Sequence, residues 1–75
     1  MKNLNKEIKA FVTENNRLCE KYGYDHCKTT VEEFWQQNYV EDEIEAVEYY
    51  GGKNYAQFEL HNTGVIPVEE VDAWK

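Results

Sequence analysis

The chain has 75 residues, in which 15 acidic side chains outnumber eight basic ones and give a formal net charge of −7. A chain of this length forms one domain at most, because it lies below the usual domain size of roughly 100–150 residues. The negative charge repels nucleic acid and anionic membranes, which excludes both as direct partners. No apolar run is long enough to cross a bilayer or to direct export, so we expect a cytoplasmic protein.

Composition also argues against an enzyme. The chain has no Ser, and its four Gly are scattered, so it offers neither a serine nucleophile nor a phosphate-binding loop. Two Cys are too few for a disulfide scaffold, and the Cys and His positions do not follow the paired ligand spacing of zinc sites. We therefore predict no catalytic site, no metal and no cofactor. A less favoured alternative is a metal-bound regulator that uses Cys19, His26, Cys27 and His61.

The charge divides the predicted single domain, residues 1–75, into two unlike parts. Residues 1–28 carry six basic and four acidic groups, a charge of +2. Residues 29–75 carry two basic and 11 acidic groups, a charge of −9, together with eight of the 11 aromatic side chains. A need for solubility explains the sign of the charge but not its segregation. The first part is predicted to be a mildly basic helix and loop that supports an acidic, aromatic-rich remainder.

Apolar residues at intervals of three and four predict an amphipathic first helix. Asn3 or Asn5 is placed to cap its start, and Gly23 lies where a left-handed residue would end it. Asn15 interrupts the apolar stripe and would need a hydrogen-bond partner if buried. The stripe consists of Leu4, Ile8, Phe11, Leu18 and Tyr22, flanked by Val12 and Cys19.

A second short helix is predicted from about Thr30 to Tyr39. Thr29 with Glu32, and Thr30 with Glu33, form two overlapping capping boxes at its start. We expect this helix to bury its apolar side chains against the first helix. Those side chains are Val31, Phe34 and Trp35.

Residues 40–50 give conflicting signals. As a helix, Val40, Ile44 and Val47 align and Gly51 ends the element. As a strand, residues 44–50 would pair with the alternating segment 55–61 through a turn at 51–54, and residues 65–66 would add a third strand. We favour the strand. Pro67 then begins a short closing helix, so the predicted class is α+β, with helices around a β-hairpin or a three-stranded meander.

The candidate functional residues lie in this ambiguous segment and after it. Five acids fall within eight residues, which as a helix would give one charge per roughly 2.4 Å, close to the one per roughly 1.7 Å of duplex DNA. Neighbouring tyrosines are typical anchors of protein interfaces. The predicted partner-binding residues are Glu41, Asp42, Glu43, Glu45, Glu48, Tyr49 and Tyr50, supported by Glu59, Glu69, Glu70 and Asp72.

In these features the chain resembles small phage-encoded inhibitors of the anti-CRISPR or DNA-mimic type. The resemblance is one of character: a short, single, strongly acidic, tyrosine-rich domain without a catalytic set. It implies stoichiometric binding to the basic nucleic-acid groove of a larger nuclease or polymerase, with the acids standing in for phosphates. Two alternatives are an acidic immunity or antitoxin protein and an accessory homodimeric module. Sedimentation at micromolar concentration separates the last from an inhibitor that is a monomer or a weak dimer.

Overall fold

The computed structural model describes residues 3–75, and in that range every regular element is helical. The four α-helices are α1 (Leu4–Lys21), α2 (Val31–Gln36), α3 (Val40–Tyr50) and α4 (Gly52–Asn62). Single 3-10 turns lie at Asp25–Cys27, Val68–Glu70 and Asp72–Trp74. The predicted α+β class, with its hairpin or meander, is therefore wrong.

Helix α1 confirms the predicted N-terminal helix. The Asn3 side chain caps it by accepting a hydrogen bond from the Lys6 amide, and Gly23, just beyond its end, has a φ of +78°. Asn15, buried within the apolar stripe, donates to the Cys27 carbonyl at 2.9 Å. Because this bond satisfies the buried amide, Asn15 ties the following loop to the helix.

Helix α2 is also present, although it ends earlier than predicted. The Thr30 hydroxyl accepts a hydrogen bond from the Glu33 amide at 3.1 Å, as expected of a capping box. Phe34 is fully buried, with its ring edge-on to that of Phe11 at 5.7 Å between centroids. Val31 and Trp35 were expected to be buried as well, but both are exposed. A helix of six residues presents too narrow a face to bury three large side chains.

The segment predicted to be a hairpin forms the two helices α3 and α4. Gly51, with a φ of +85°, ends α3, and its amide donates to the Val47 carbonyl at 2.9 Å. Gly51 thus separates two helices rather than two strands. The apolar residues of α3, Val40, Ile44 and Val47, all pack into the core that it shares with α1.

Helix α4 packs along α1 more extensively than any other pair of elements. Gly52, Ala56 and Leu60 recur every four residues along α4, so they lie in one row, and all three are buried. The Gly52 amide donates to Glu7 Oε1 at 2.8 Å, and a Cβ on Gly52 would overlap the Glu7 main-chain carbonyl. The two backbones therefore touch, which is possible only because residue 52 has no side chain.

The C-terminal segment closes one end of the core. The predicted short helix after Pro67 consists of two separate 3-10 turns, and Val71 between them is fully buried. Val71 packs with Leu18, Cys19, Leu60 and Ile66. Burial, followed by the neighbouring Cys27, raises the pKa of the Cys19 thiol to about 11, so this thiol stays protonated at neutral pH.

Candidate functional site

The acidic segment forms one exposed side of α3. Glu41, Glu45 and Tyr49 follow one another at intervals of four residues, which places them in a row along the helix. Asp42 and Glu48 flank this row and are also exposed. We call Glu41, Asp42 and Glu45 the acidic face. Together with Glu48 it sets four exposed carboxylates along about 12 Å of helix, or one per roughly 3 Å.

The acidic face lacks neutralising cations within residues 3–75. The ion pairs of that range involve five carboxylates elsewhere, namely Glu14, Glu20, Asp25, Glu70 and Asp72. None of them involves Glu41, Asp42 or Glu45. Tyr49 continues the row and is 78% exposed, the largest exposed fraction among the large hydrophobic side chains described. The structure therefore brings together this part of the predicted site.

Glu43 does not belong to the acidic face. It is half-buried against α4, beside Tyr55 and within the field of the Glu59 carboxylate. Burial, followed by the charges of Glu59 and Asp42, raises the pKa of Glu43, although its hydrogen bond with Tyr55 acts in the opposite direction. The pKa of the Tyr55 hydroxyl is raised too, by burial first and then by Glu59 and Glu43. Glu43 is thus part of the α3–α4 contact rather than of a binding surface.

Replacing Glu43 by Gln should stabilise the fold at neutral pH. The unfavourable charge is fully present above the raised pKa and disappears as pH falls below the ordinary value of 4.5. We expect a gain of about 0.2–0.5 kcal/mol at pH 7, the size of one like-charge pair, and no gain at pH 3. Thermal unfolding at pH 7 and at pH 3 measures this gain in stability, with Glu69→Gln as the exposed control. A gain that persists at pH 3 would contradict this assignment.

Two of the four supporting acids, Glu70 and Asp72, accept hydrogen bonds from other residues of the protein. Glu70 Oε2 accepts hydrogen bonds from Lys21 Nζ at 2.6 Å and from the Tyr22 hydroxyl at 2.7 Å, and these hold the pKa of Glu70 below its usual range. Hydrogen bonds from Gln57 and then Lys75 similarly lower the pKa of Asp72. Their prediction as partner-binding residues is not supported by this geometry. Glu69, by contrast, is exposed.

Asp72 belongs to a polar network that fixes the C-terminal turn. Gln57 Nε2, almost fully buried, donates to Glu14 Oε2 at 2.6 Å and to Asp72 Oδ2 at 3.1 Å. Gln57 Oε1 accepts from the Asp72 amide at 2.9 Å. One side chain of α4 therefore connects α1 to the turn that carries Trp74.

Trp74 completes a groove that the sequence reasoning missed. The groove has a volume of about 390 Å³ and lies between the end of α3, α4 and the C-terminal turn. Its lining combines four aromatic rings with one carboxylate and one amide: Tyr50, Tyr55, Phe58, Trp74, Glu59 and Asn62. We call it the aromatic groove. A helical interpretation of residues 55–62 would have indicated it, because Tyr55, Phe58 and Asn62 share one face at intervals of three and four.

The rings of the groove contact one another and continue to the acidic face. The Phe58 ring lies 5.3 Å from Trp74 and 5.2 Å from Tyr50, centroid to centroid. Tyr50 in turn meets Tyr49 edge-on at 4.7 Å. A second shallow groove of about 360 Å³ lies beside Tyr50 and includes Asp42 and Glu45. Tyr50 therefore lies between the acidic face and the aromatic groove and borders both.

Three further properties of the described residues concern metal binding, exposed apolar side chains and membrane spans. Within residues 3–75, no group of three or more His, Cys, Asp or Glu side chains is placed to hold a metal ion. The apolar side chains of Val31, Trp35 and Tyr39, on α2 and just after it, are also exposed. Over the same range, none of the helices combines the length and the apolar character needed to cross a membrane.

Comparisons with known proteins add no constraint to this geometry. No protein-family model, no curated protein and no solved structure matches the chain.

Proposed function

We propose that this protein binds stoichiometrically to a basic nucleic-acid-binding site on a larger protein of the nuclease or polymerase class, in the cytoplasm, and blocks it. The acidic face of α3 replaces the phosphates of the normal substrate, and Tyr49 anchors the contact. The single observation that carries the proposal is the row of exposed carboxylates that have no ion-pair partner in the described chain and that ends at a tyrosine that is 78% exposed.

The energetics of α3 support this function. Glu41 with Glu45, and Asp42 with Glu45, are like-charge pairs at intervals of four and three, each of which disfavours the helix by about 0.2–0.5 kcal/mol. In the same chain, Glu14 and Glu70 each have a cation beside them. A partner surface rich in Lys and Arg would remove the repulsion within the acidic face. Tyr49 would supply a large contact area at a low entropy cost.

Neutralising the acidic face should weaken partner binding on the order of tenfold. The variant is Glu41→Gln/Asp42→Asn/Glu45→Gln, and the estimate allows about 0.5 kcal/mol for each exposed charge pair lost. The matched control, Glu20→Gln/Glu32→Gln/Glu33→Gln, removes three exposed carboxylates outside α3, keeps the ion pair between Lys28 and Asp25, and has the same net charge. Each protein is immobilised, and lysate proteins retained at 50 mM salt are identified by mass spectrometry and titrated.

The proposal requires four results together. A retained protein must bind the control like the wild type, must bind the acidic-face variant more weakly, and must be displaced by duplex DNA or RNA. Binding must also weaken steeply between 50 and 200 mM salt. Equal retention by both variants, or binding that nucleic acid does not displace, would overturn the proposal. The alternative homodimer would instead bury exposed apolar side chains such as Trp35 and Tyr39, and sedimentation would show it as a dimer.

A further inference from the structure

The aromatic groove has the composition of a cation-binding site. Tyr50 and Trp74, the rings at its rim, are 46% and 54% exposed, although large aromatic side chains in a small protein are normally needed in the core. Between them lies the half-buried Phe58, and the Glu59 carboxylate shares the lining. Aromatic faces attract cations through their quadrupole, and a carboxylate adds a full negative charge.

The geometry of the groove is fixed by the network described above. The buried Gln57 binds both the side chain and the main-chain amide of Asp72, two residues before Trp74. The Trp74 amide donates to the Val71 carbonyl at 3.1 Å, and Val71 itself is fully buried. Trp74 is therefore held over Phe58 by main-chain and buried contacts. A preorganised groove of this kind binds without the entropy cost of ordering its walls.

We propose that the aromatic groove binds the guanidinium group of an arginine side chain on the partner protein. A guanidinium is planar and weakly hydrated, so it stacks on a ring while its N–H edge donates to a carboxylate or an amide oxygen. The groove offers both kinds of contact, with Tyr50, Phe58 and Trp74 for stacking and Glu59 and Asn62 for the edge. A lysine ammonium is more strongly hydrated and has no planar face to stack.

The position of the groove fits the same partner as the acidic face. Tyr50 lines the aromatic groove and also the shallow groove that contains Asp42 and Glu45. A basic surface laid along α3 would therefore present its next cationic side chain to the aromatic groove. This inference rests on the proposed function for the source of the arginine, whereas the chemistry of the groove can be measured without a partner.

The test is an NMR titration of the whole protein with Nα-acetyl-arginine amide. The two indole N–H signals report separately, because Trp74 lines the groove and Trp35 lies on α2. We expect the Trp74 signal to shift with a millimolar dissociation constant while the Trp35 signal stays in place. The matched neutral probe is Nα-acetyl-citrulline amide, which keeps the planar shape without the charge. We expect it to bind about tenfold more weakly, from one cation–π contact and one ion pair.

Two variants locate the binding within the groove. Glu59→Gln removes the charge with little change of volume and should weaken arginine binding about threefold to fivefold. Glu69→Gln, which makes the same change of charge outside the groove, should leave it unchanged. Trp74→Leu should remove the stacking contact and weaken binding at least threefold. Because this variant lacks the groove's indole signal, its binding is followed by the side-chain amide signals of Asn62, which also lines the groove. The spectrum of each variant shows whether it is folded, so a loss of binding is not confused with unfolding.

The outcomes separate this inference from the proposed function. Equal binding of citrulline, equal binding of Nα-acetyl-lysine amide, or equal shifts of both indole signals would overturn the guanidinium site. Arginine binding as expected, combined with equal retention of lysate proteins by the acidic-face variant and its control, would support the groove and overturn the partner class. Loss of retention in the acidic-face variant, with no arginine binding, would do the reverse.

Discussion

The substitution Gly52→Ala is expected to remove most of the stability of the fold at 25 °C. A Cβ at this position would overlap the Glu7 carbonyl and lie 2.8 Å from the Phe11 amide nitrogen, and both are main-chain atoms of α1. Main chain cannot move aside as a flexible side chain does, so α1 and α4 would have to separate along their whole contact. We expect a loss of at least about 3 kcal/mol. That loss is comparable with the roughly 3–5 kcal/mol that a core of this size supplies.

Urea unfolding followed by circular dichroism measures this loss. The control is Gly64→Ala, because a Cβ at Gly64 meets nothing within 4 Å, although its φ is +81°. The control should lose only the cost of a left-handed backbone, about 1–2 kcal/mol. A Gly52→Ala protein as stable as the Gly64→Ala control would show that α1 and α4 do not approach as closely as described.

The substitution Gln57→Leu should cost about 3 kcal/mol. Leu fits the volume, but it leaves the Glu14 carboxylate, which is only 5% exposed, without its buried donor, and the Asp72 amide without its acceptor. When a buried carboxylate loses a hydrogen-bond partner, most of the free-energy cost of its desolvation is no longer compensated. Arg17 remains bonded to Glu14 at 2.8 Å and limits the damage.

The double variant Glu14→Leu/Gln57→Leu provides the control. Because removing both partners leaves no orphaned carboxylate, the double variant should lose at least about 1 kcal/mol less than the sum of the two single variants. Strictly additive losses would contradict the coupling.

The pH dependence of the Gln57→Leu loss gives a second check. Burial alone would raise the pKa of Glu14, but hydrogen bonds from Arg17 and Gln57 hold it below the ordinary value of 4.5. A lowered pKa in the folded state contributes stability that is present above 4.5 and lost as pH falls through the lowered value. The loss in Gln57→Leu should therefore shrink toward pH 3, and a loss that grows there would contradict it.

The sequence predicted the elements whose signals are local. The stripe of α1 extends over five turns, and Asn3 and Gly23 mark its ends, so no other structure competes. The Thr30–Glu33 capping box likewise marks the start of α2 within four residues. Such signals depend on contacts between near neighbours, and the sequence contains them in full.

The strand prediction was wrong because its signal was too short. The alternating segment 55–61 spans only seven residues, a length over which periods of 2 and 3.6 overlap. The deciding contact is between Gly52 and Glu7, which are 45 residues apart. Gly52 and Ala56 are small and let α4 approach α1 closely, and that gain exists only once both helices are formed. The sequence pattern alone does not weigh such a contact.

The same distinction between local signals and distant contacts applies to the prediction of the candidate site. The sequence identified the acidic segment that lies in α3, because net charge and residue type need no fold to be counted, but it did not place that segment in a helix. It did not separate Glu43, turned toward Tyr55, from Glu41 and Glu45, since that depends on whether the segment is a helix. It also assigned Glu70 to a partner, whereas Lys21, 49 residues away, binds it.

The sequence by itself determined that this protein is small and strongly acidic, that it begins with an amphipathic helix, and that its charge and aromatic residues are concentrated after residue 28. Only the tertiary structure decided which acids remain exposed without an ion-pair partner and which aromatic rings converge on one groove. The physical reason is the distance along the chain between the residues involved. Composition and periodicity depend on single residues and near neighbours. Whether a charge forms an ion pair, or several rings line one groove, depends on which distant helix faces pack against each other.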